Sequence, residues 1–225
     1  MKALLALIAA AFQTATAETI PAGDLRISPE ARELILHFET GGPGYYQARL
    51  QRPTVPPGAS GITIGIGYDL GYNTPAQIRA DWAGVLPDPQ VERLAGVAGR
   101  TGASARAALS RVRDIIIPWG AAVQVYEGRT VPRFAKLTVA TYPGILATHP
   151  HIQGVILSTT FNRGSALTPY CRRAELVWTR DDLRAGKTSR LGDYQLAMRR
   201  LWPSIPGLQK RYAAHSGLIQ NALTK

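Results

Sequence analysis

The apolar residues near the start of the chain follow a helical spacing. In the stretch ISPEARELILHFETGG, Ser28 fits the N-cap position and Pro29 the first helical position. Gly41 and Gly42 are expected to end the helix. The apolar residues fall at positions i, i+3, i+4 and i+7, as one stripe of an amphipathic helix: Ala31, Leu34, Ile35 and Phe38.

A period of two replaces the helical spacing further on. In GITIGIGYDLGYN, isoleucines at 62, 64 and 66 alternate with small or polar residues, which predicts a short strand or hairpin with one packed face. The stretch 42–61 before it is dense in Pro and Gly and lacks a helical period, so we expect a long surface loop there. Loops of that length in compact domains are often functional.

From Thr74 onward the pattern is helical almost to the end of the chain. The predicted helices are 75–83, 89–98, 104–117, 131–141, 150–162, 172–186, 190–201 and 206–222. The predicted fold class is therefore α+β and mainly helical, with a small hairpin near the N-terminal end and a helical bulk. A cleft is expected between the two parts, where ligand sites are common.

The first 17 residues have the layout of a cleavable secretory signal. A basic start at Lys2 precedes a short apolar run and small residues at Ala15 and Ala17. That run is well below the roughly 20 residues that a membrane-spanning helix needs, so we expect an exported protein, periplasmic or secreted, rather than a retained anchor. Residues 18–225 then suffice for one domain. The single cysteine, Cys171, excludes an intramolecular disulfide and is expected to be a partly buried small hydrophobic residue.

The chain is strongly basic, with a formal net charge of +11. Such a charge promotes adsorption to polyanions. The arginines are scattered along the sequence, and no zinc-finger, RNP or basic-zipper pattern accompanies them. For an exported chain, the anionic cell wall is a better counterpart than nucleic acid, which we do not expect as a partner.

Glu39 is the first candidate for chemistry. It ends the first predicted helix at the edge of the apolar stripe, where the helix dipole and partial desolvation both disfavour a negative charge. A carboxyl group held neutral can donate a proton. The alternative is an ordinary solvated glutamate at a helix end.

Thr63 and Asp69 are the second candidate. A continuous strand would separate them by about 20 Å, but Gly65 and Gly67 permit a tight reversal that brings Asp69 back beside Thr63. The pair could then hold one water, with Asp69 as general base or electrostatic partner and Glu39 as acid. The alternative for Asp69 is a turn aspartate, and the sequence leaves an inverting or a retaining outcome open.

HFETGG followed by GITIGIGYDLG resembles the signature of pesticin-like and phage-type lysozymes, in which a glutamate ends the first helix and a T-I-G-I-G hairpin follows. The resemblance implies a lysozyme-like fold, with Glu39 as the catalytic acid and Thr63 as the hydrogen-bonding threonine of the hairpin. Asp69, six residues after the threonine, matches the pesticin arrangement. Tyr68 stands where the common phage enzymes carry histidine, and no acidic residue lies between Glu39 and the hairpin.

Further substrate contacts are expected around this core signature. The stretch IQGVILSTTFNRGSAL resembles a helix that lines the cleft in these enzymes, so Asn162 and Arg163 are candidates to contact a sugar or a peptide carboxylate, with a helix C-cap as the alternative. Tyrosines flank the proposed cleft, where their rings could pack on sugars or simply fill the core. They are Tyr45, Tyr46, Tyr68 and Tyr72.

The resemblance therefore implies a muramidase that cleaves the β-1,4 bond between N-acetylmuramic acid and N-acetylglucosamine in peptidoglycan. We expect a monomer, although the sequence leaves the oligomeric state open. We expect neither a metal nor an organic cofactor. His149 and His151 flank Pro150 but have no third ligand near them in sequence, so a surface loop is the better interpretation. The main alternative function is a non-catalytic wall-binding module of the same shape.

Overall fold

A computed structural model of the chain describes residues 19–168 and 172–224. The predicted signal segment 1–17 and Cys171 lie outside the described residues. Two antiparallel hairpins are present. The first joins β1 (Ile20–Ala22) to β2 (Leu25–Ile27), and the second joins β3 (Thr63–Ile64) to β4 (Tyr68–Asp69).

Helices form most of the described chain. In order they are α1 (Pro29–Thr40), α2 (Pro43–Arg49), α3 (Pro75–Trp82), α4 (Asp88–Ala95), α5 (Gly102–Ala108), α6 (Trp119–Val125), α7 (Val131–Thr141), α8 (Pro150–Arg163), α9 (Ala174–Arg184), α10 (Leu191–Ala197) and α11 (Pro206–Leu223). A π-helical turn, Tyr126–Thr130, joins α6 to α7. The predicted mainly helical α+β class, with a small hairpin beside a helical bulk, is confirmed.

The predicted start and end of α1 are also confirmed. The Ser28 hydroxyl accepts a hydrogen bond from the backbone N–H of Ala31, and Pro29 opens the helix. Gly41 adopts φ 75° at the C-cap, a conformation that costs little only without a Cβ. This cap fixes where the helix ends and therefore where Glu39 sits, in its last turn.

α8 is the central helix of the bulk. Eleven of its fourteen residues are buried, as expected of a helix that is covered on all sides. It packs against α1, α7 and α11. Gly154 is the point of closest approach to α1, because a Cβ there would overlap the side chain of Ala31. The α1–α8 packing therefore depends on a glycine in the middle of a helix.

A polar network is buried where α8, α10 and α11 meet. His215, which is fully buried, bonds through Nδ1 to Gln195 Oε1 at 2.9 Å and through Nε2 to Ser158 Oγ at 3.0 Å. Burial, and to a smaller extent the charge of Arg211, lower the pKa of His215 to about 3. The imidazole is therefore neutral in the folded protein at ordinary pH.

Two of the predicted segments are wrong. The expected loop 42–61 contains α2, which Pro43 initiates and the buried ring of Tyr46 anchors. The predicted helix 104–117 stops at Ala108, and after a 3-10 turn the chain runs extended with the alternating side chains of Ile115 and Ile117 buried.

α6 and the hairpin of β1 and β2 were not predicted, because the helix has only seven residues and each strand only three, too few to show a clear apolar period. None of the helices in the described ranges combines the length and apolarity that a bilayer span requires.

Candidate functional site

The β3–β4 ribbon brings Thr63 and Asp69 together. The two residues are directly paired across the ribbon, and Ile64 pairs with Tyr68. Gly65 and Gly67 make the reversal with φ 55° and 68°, so the turn uses the conformation that the two glycines allow. Side chains of directly paired residues share one face of a ribbon. The predicted reversal is thus present.

Backbone groups on either side of the ribbon hold the Asp69 carboxylate. One oxygen accepts from the N–H of Gly71 at 2.7 Å and the other from the N–H of Gly61 at 3.0 Å. A Cβ at Gly61 would overlap this carboxylate and the Gly71 backbone. The arrangement fixes the orientation of Asp69 and also gives the carboxylate a structural role in capping the 3-10 turn that follows.

The Thr63 hydroxyl is available for a ligand. The backbone of Thr63 pairs with Thr54 on one side and with Asp69 on the other. Its side chain is half-buried and has no hydrogen-bond partner within the described ranges. A hydroxyl held on a rigid ribbon beside a carboxylate can orient a water molecule.

Glu39 forms an ion pair with Arg211, which reaches it from α11. The Glu39 side chain is 27% exposed and that of Arg211 is 5% exposed. The Arg211 guanidinium also lies 5.3 Å from the centre of the Phe38 ring. This cation favours the charged carboxylate and so opposes the helix dipole and the apolar neighbours, and no local pattern in the sequence indicated it.

Tyr126 is a further polar group near this ion pair. Its hydroxyl is buried and lacks a hydrogen-bond partner in the described chain. Burial, followed by the nearby charge of Glu39, raises the pKa of Tyr126 well above its usual value. Tyr126 therefore remains a neutral hydroxyl beside the carboxylate, and it opens the π-helical turn, a feature often found at functional sites.

A cavity of about 500 Å³ lies beside the hairpin. This volume falls within the range of ordinary small-ligand pockets. Two segments of the chain line it. The first runs from the β3–β4 hairpin to α3, and the second from the π-helical turn to α7. The residues are Gly67, Tyr68, Asp69, Tyr72, Asn73, Gln77, Asp81, Arg129, Thr130, Arg133 and Phe134.

Asp69 and Tyr68 therefore line the cavity, whereas Glu39 and Thr63 are not among its lining residues. The π-helical turn connects the two places, since it begins at Tyr126 beside Glu39 and ends in residues that line the cavity. Phe161 strengthens this connection, because its ring packs on Tyr126 at 5.5 Å and on Phe134 at 4.3 Å.

Asp81 orders the base of the cavity. Its buried carboxylate accepts from the Tyr68 hydroxyl at 2.7 Å and from the Gln77 amide at 2.8 Å, and Arg129 lies 3.4 Å away. Burial and the bond to Asp81 raise the pKa of Tyr68 above its usual range. The Tyr68 hydroxyl is thus committed to Asp81, and only its ring faces the cavity.

The other three candidate tyrosines have different environments. Tyr46 is fully buried, donates its hydroxyl to the carbonyl of Ile117 at 3.0 Å and packs edge-on against Trp119. The prediction that Tyr46 contacts substrate is wrong, since its ring belongs to the core. Tyr45 is 57% exposed and Tyr72 is 71% exposed; of these two, Tyr72 lines the cavity.

Arg163 corrects another prediction. Its side chain is buried, lies 4.8 Å from the centre of the Trp202 ring and donates to the carbonyl of Arg172. Its buried side chain is therefore committed to these protein contacts, which contradicts the expected contact with a sugar or a peptide carboxylate. Asn162 is half-buried and accepts from the Tyr212 hydroxyl at 2.7 Å. α8 ends at this point, with Gly164 as its C-cap.

Five residues at the site were not identified from the sequence: Arg211, Tyr126, Asp81, Arg129 and Arg133. Asp81 is on α3, 13 positions after Tyr68, and the other four come from elements far from Glu39 and the hairpin in sequence. A single sequence contains no local signal for such contacts. In the described residues no group of three or more His, Cys, Asp and Glu side chains could hold a metal ion.

No protein-family model and no curated protein sequence matches this chain. The support for the candidate site is therefore its geometry, together with the resemblance of its two motifs to those of pesticin-like and phage-type lysozymes.

Proposed function

We propose that the chain is a peptidoglycan hydrolase, an N-acetylmuramidase that cleaves the β-1,4 bond between N-acetylmuramic acid and N-acetylglucosamine. The direct pairing of Thr63 with Asp69 across a glycine-hinged ribbon is the observation that most supports it. In the pesticin-like arrangement that the motifs resemble, the aspartate follows the threonine by six residues, as Asp69 follows Thr63 in this chain. The net charge of +11 suits an anionic wall as substrate.

In this proposal Glu39 protonates the leaving glycosidic oxygen. Asp69 acts as general base or electrostatic partner, and Thr63 orients the water. Arg211 stabilises the Glu39 carboxylate that proton transfer produces. Tyr72, exposed at the cavity, offers a ring on which a sugar can pack.

A non-catalytic wall-binding module is the second candidate. Two observations favour it. Glu39 is already paired with a cation, and both oxygens of Asp69 accept backbone hydrogen bonds. Under this alternative the two carboxylates are structural, and the cavity alone serves to bind glycan.

The substitution Glu39→Gln separates the two functions. Loss of the acid should lower the rate of sacculus lysis by about 10² to 10⁴-fold, while binding to sacculi persists. Glu33→Gln is the matched control, because Glu33 is exposed on the same helix. Mass spectrometry of released muropeptides should find N-acetylmuramic acid at the new reducing end. Lysis by E39Q at the wild-type rate would contradict the enzyme, and binding without lysis in the wild type would establish the module.

A further inference from the structure

The cavity beside the hairpin contains two arginines whose charges are not equally compensated. Arg129 lies 3.4 Å from the Asp81 carboxylate, which is itself held by Tyr68 and Gln77. That ion pair holds Arg129 among the residues that line the cavity. Arg133, one turn further along, has no carboxylate partner in residues 19–168 and 172–224.

The acidic residues of the cavity do not neutralise Arg133. Asp69 is bonded to two backbone N–H groups, and Asp81 to Tyr68, Gln77 and Arg129. A guanidinium presents planar donors that match a carboxylate in a two-pronged geometry. The cavity therefore combines an exposed aromatic ring, Tyr72, with one uncompensated cation and a second cation beside it.

We propose that Arg133, assisted by Arg129, binds a free carboxylate of the glycan substrate and thereby selects peptidoglycan over neutral glycans. The inference rests on the proposed function and names the residues that determine its specificity. A neutral polymer of N-acetylglucosamine has no group that needs a cation. Peptidoglycan carries carboxylates on its peptide stems, and strands stripped of their stems expose the carboxylate of the lactyl ether.

The test is a binding measurement with the full chain carrying Glu39→Gln, so that cleavage of the sacculi does not interfere with the measured affinities. The probes are purified sacculi free of teichoic acid, the same glycan strands after amidase removal of the stems, and chitooligosaccharide. Arg133→Ala should weaken binding to sacculi by about tenfold, the scale of one charge-assisted contact, and leave chitooligosaccharide binding unchanged. Arg133→Lys should recover part of the loss.

Lys136→Ala is the matched control, because Lys136 is exposed on the same helix and does not line the cavity. It should leave all three affinities unchanged. An R133A effect confined to strands with stems assigns the carboxylate to the peptide, and an effect that persists without stems assigns it to the lactyl group.

Equal weakening on sacculi and chitooligosaccharide, or no weakening on either, would overturn the inference, as would wild-type protein that binds none of the probes. These outcomes are separate from the proposed function. A wild-type chain that binds sacculi through Arg133 without cutting them refutes the hydrolase and keeps the carboxylate site.

Discussion

The hairpin and the Glu39 centre each present a carboxylate, but they are built in different ways. In the hairpin, residues 61–71 provide the pairing, the reversal and the backbone donors that hold Asp69. In the Glu39 centre, Arg211 is 172 positions away from its partner and Tyr126 comes from a third element. One geometry is local, and the other exists only when the helical bulk is packed.

The hairpin and the Glu39 centre should therefore respond differently to perturbation. The Asp69 carboxylate keeps its donors as long as the ribbon is formed. Glu39 keeps Arg211 only while α11 is packed against α1, and α11 is anchored in the core through His215. Loosening α11 should therefore disrupt the Glu39 centre before it disrupts the hairpin.

Acid provides the largest expected perturbation of α11. The pKa of His215 is about 3 in the folded protein, against 6.5 for an ordinary histidine. Below pH 6.5 the unfolded chain therefore binds one more proton than the native chain at this site. The stability that neutral His215 confers is complete above pH 6.5 and is lost as the pH falls toward 3, at about 1.4 kcal/mol per pH unit.

Urea unfolding at a series of pH values measures this slope. His215→Gln should flatten it by about one proton between pH 6 and pH 4, even if that variant is less stable at every pH. His37→Gln, at an exposed position of α1, is the matched control, and the change in slope specific to His215 is the difference between the two variants. An H215Q slope equal to that of the wild type would show that His215 titrates normally and does not anchor α11 as a neutral group.

Arg211→Met perturbs the Glu39 centre directly. Removing one member of a fully buried pair costs about 3 to 5 kcal/mol. Because Glu39 is 27% exposed and can still reach water, we expect a loss of about 2 kcal/mol in the free energy of unfolding, together with slower lysis. Lys210→Met, an exposed neighbour on α11, should change neither.

A double-mutant cycle with Glu39→Gln isolates the pair. The double variant should be more stable than the sum of the two single losses predicts, by about 1 kcal/mol. Additive losses would mean that the Glu39–Arg211 contact contributes nothing to folding, and the contrast with the hairpin would then disappear.

The same contrast explains which features could be predicted from sequence. Ser28, Pro29 and Gly41 act on groups within four residues of themselves, so the bounds of α1 were predictable, as was the reversal at Gly65 and Gly67. These are short-range effects of capping and φ.

Contacts between distant elements were not predictable in this way. Nothing in the sequence around Arg211 indicates that it pairs with Glu39. The residues around Tyr46 show no helical spacing, so its position in the core could not be inferred from them. Arg163 shows the same limit. The resemblance of its segment to a cleft-lining helix suggested a ligand contact, whereas its guanidinium packs on Trp202.

Thr63→Val tests the hairpin with the smallest expected effect on the fold. Valine keeps the shape and the β-branched preference of threonine, and the Thr63 hydroxyl has no protein partner in the described ranges, so the free energy of unfolding should change by less than about 0.5 kcal/mol. If the hydroxyl orients the attacking water, the rate of sacculus lysis should fall about tenfold, the equivalent of one hydrogen bond of about 1.4 kcal/mol. Thr54→Val, an exposed neighbour paired to Thr63 in the same ribbon, should retain full activity. Equal rates of lysis by the two variants would show that the Thr63 hydroxyl does not orient the water. Asp69 would then be the residue of this pair that orients it.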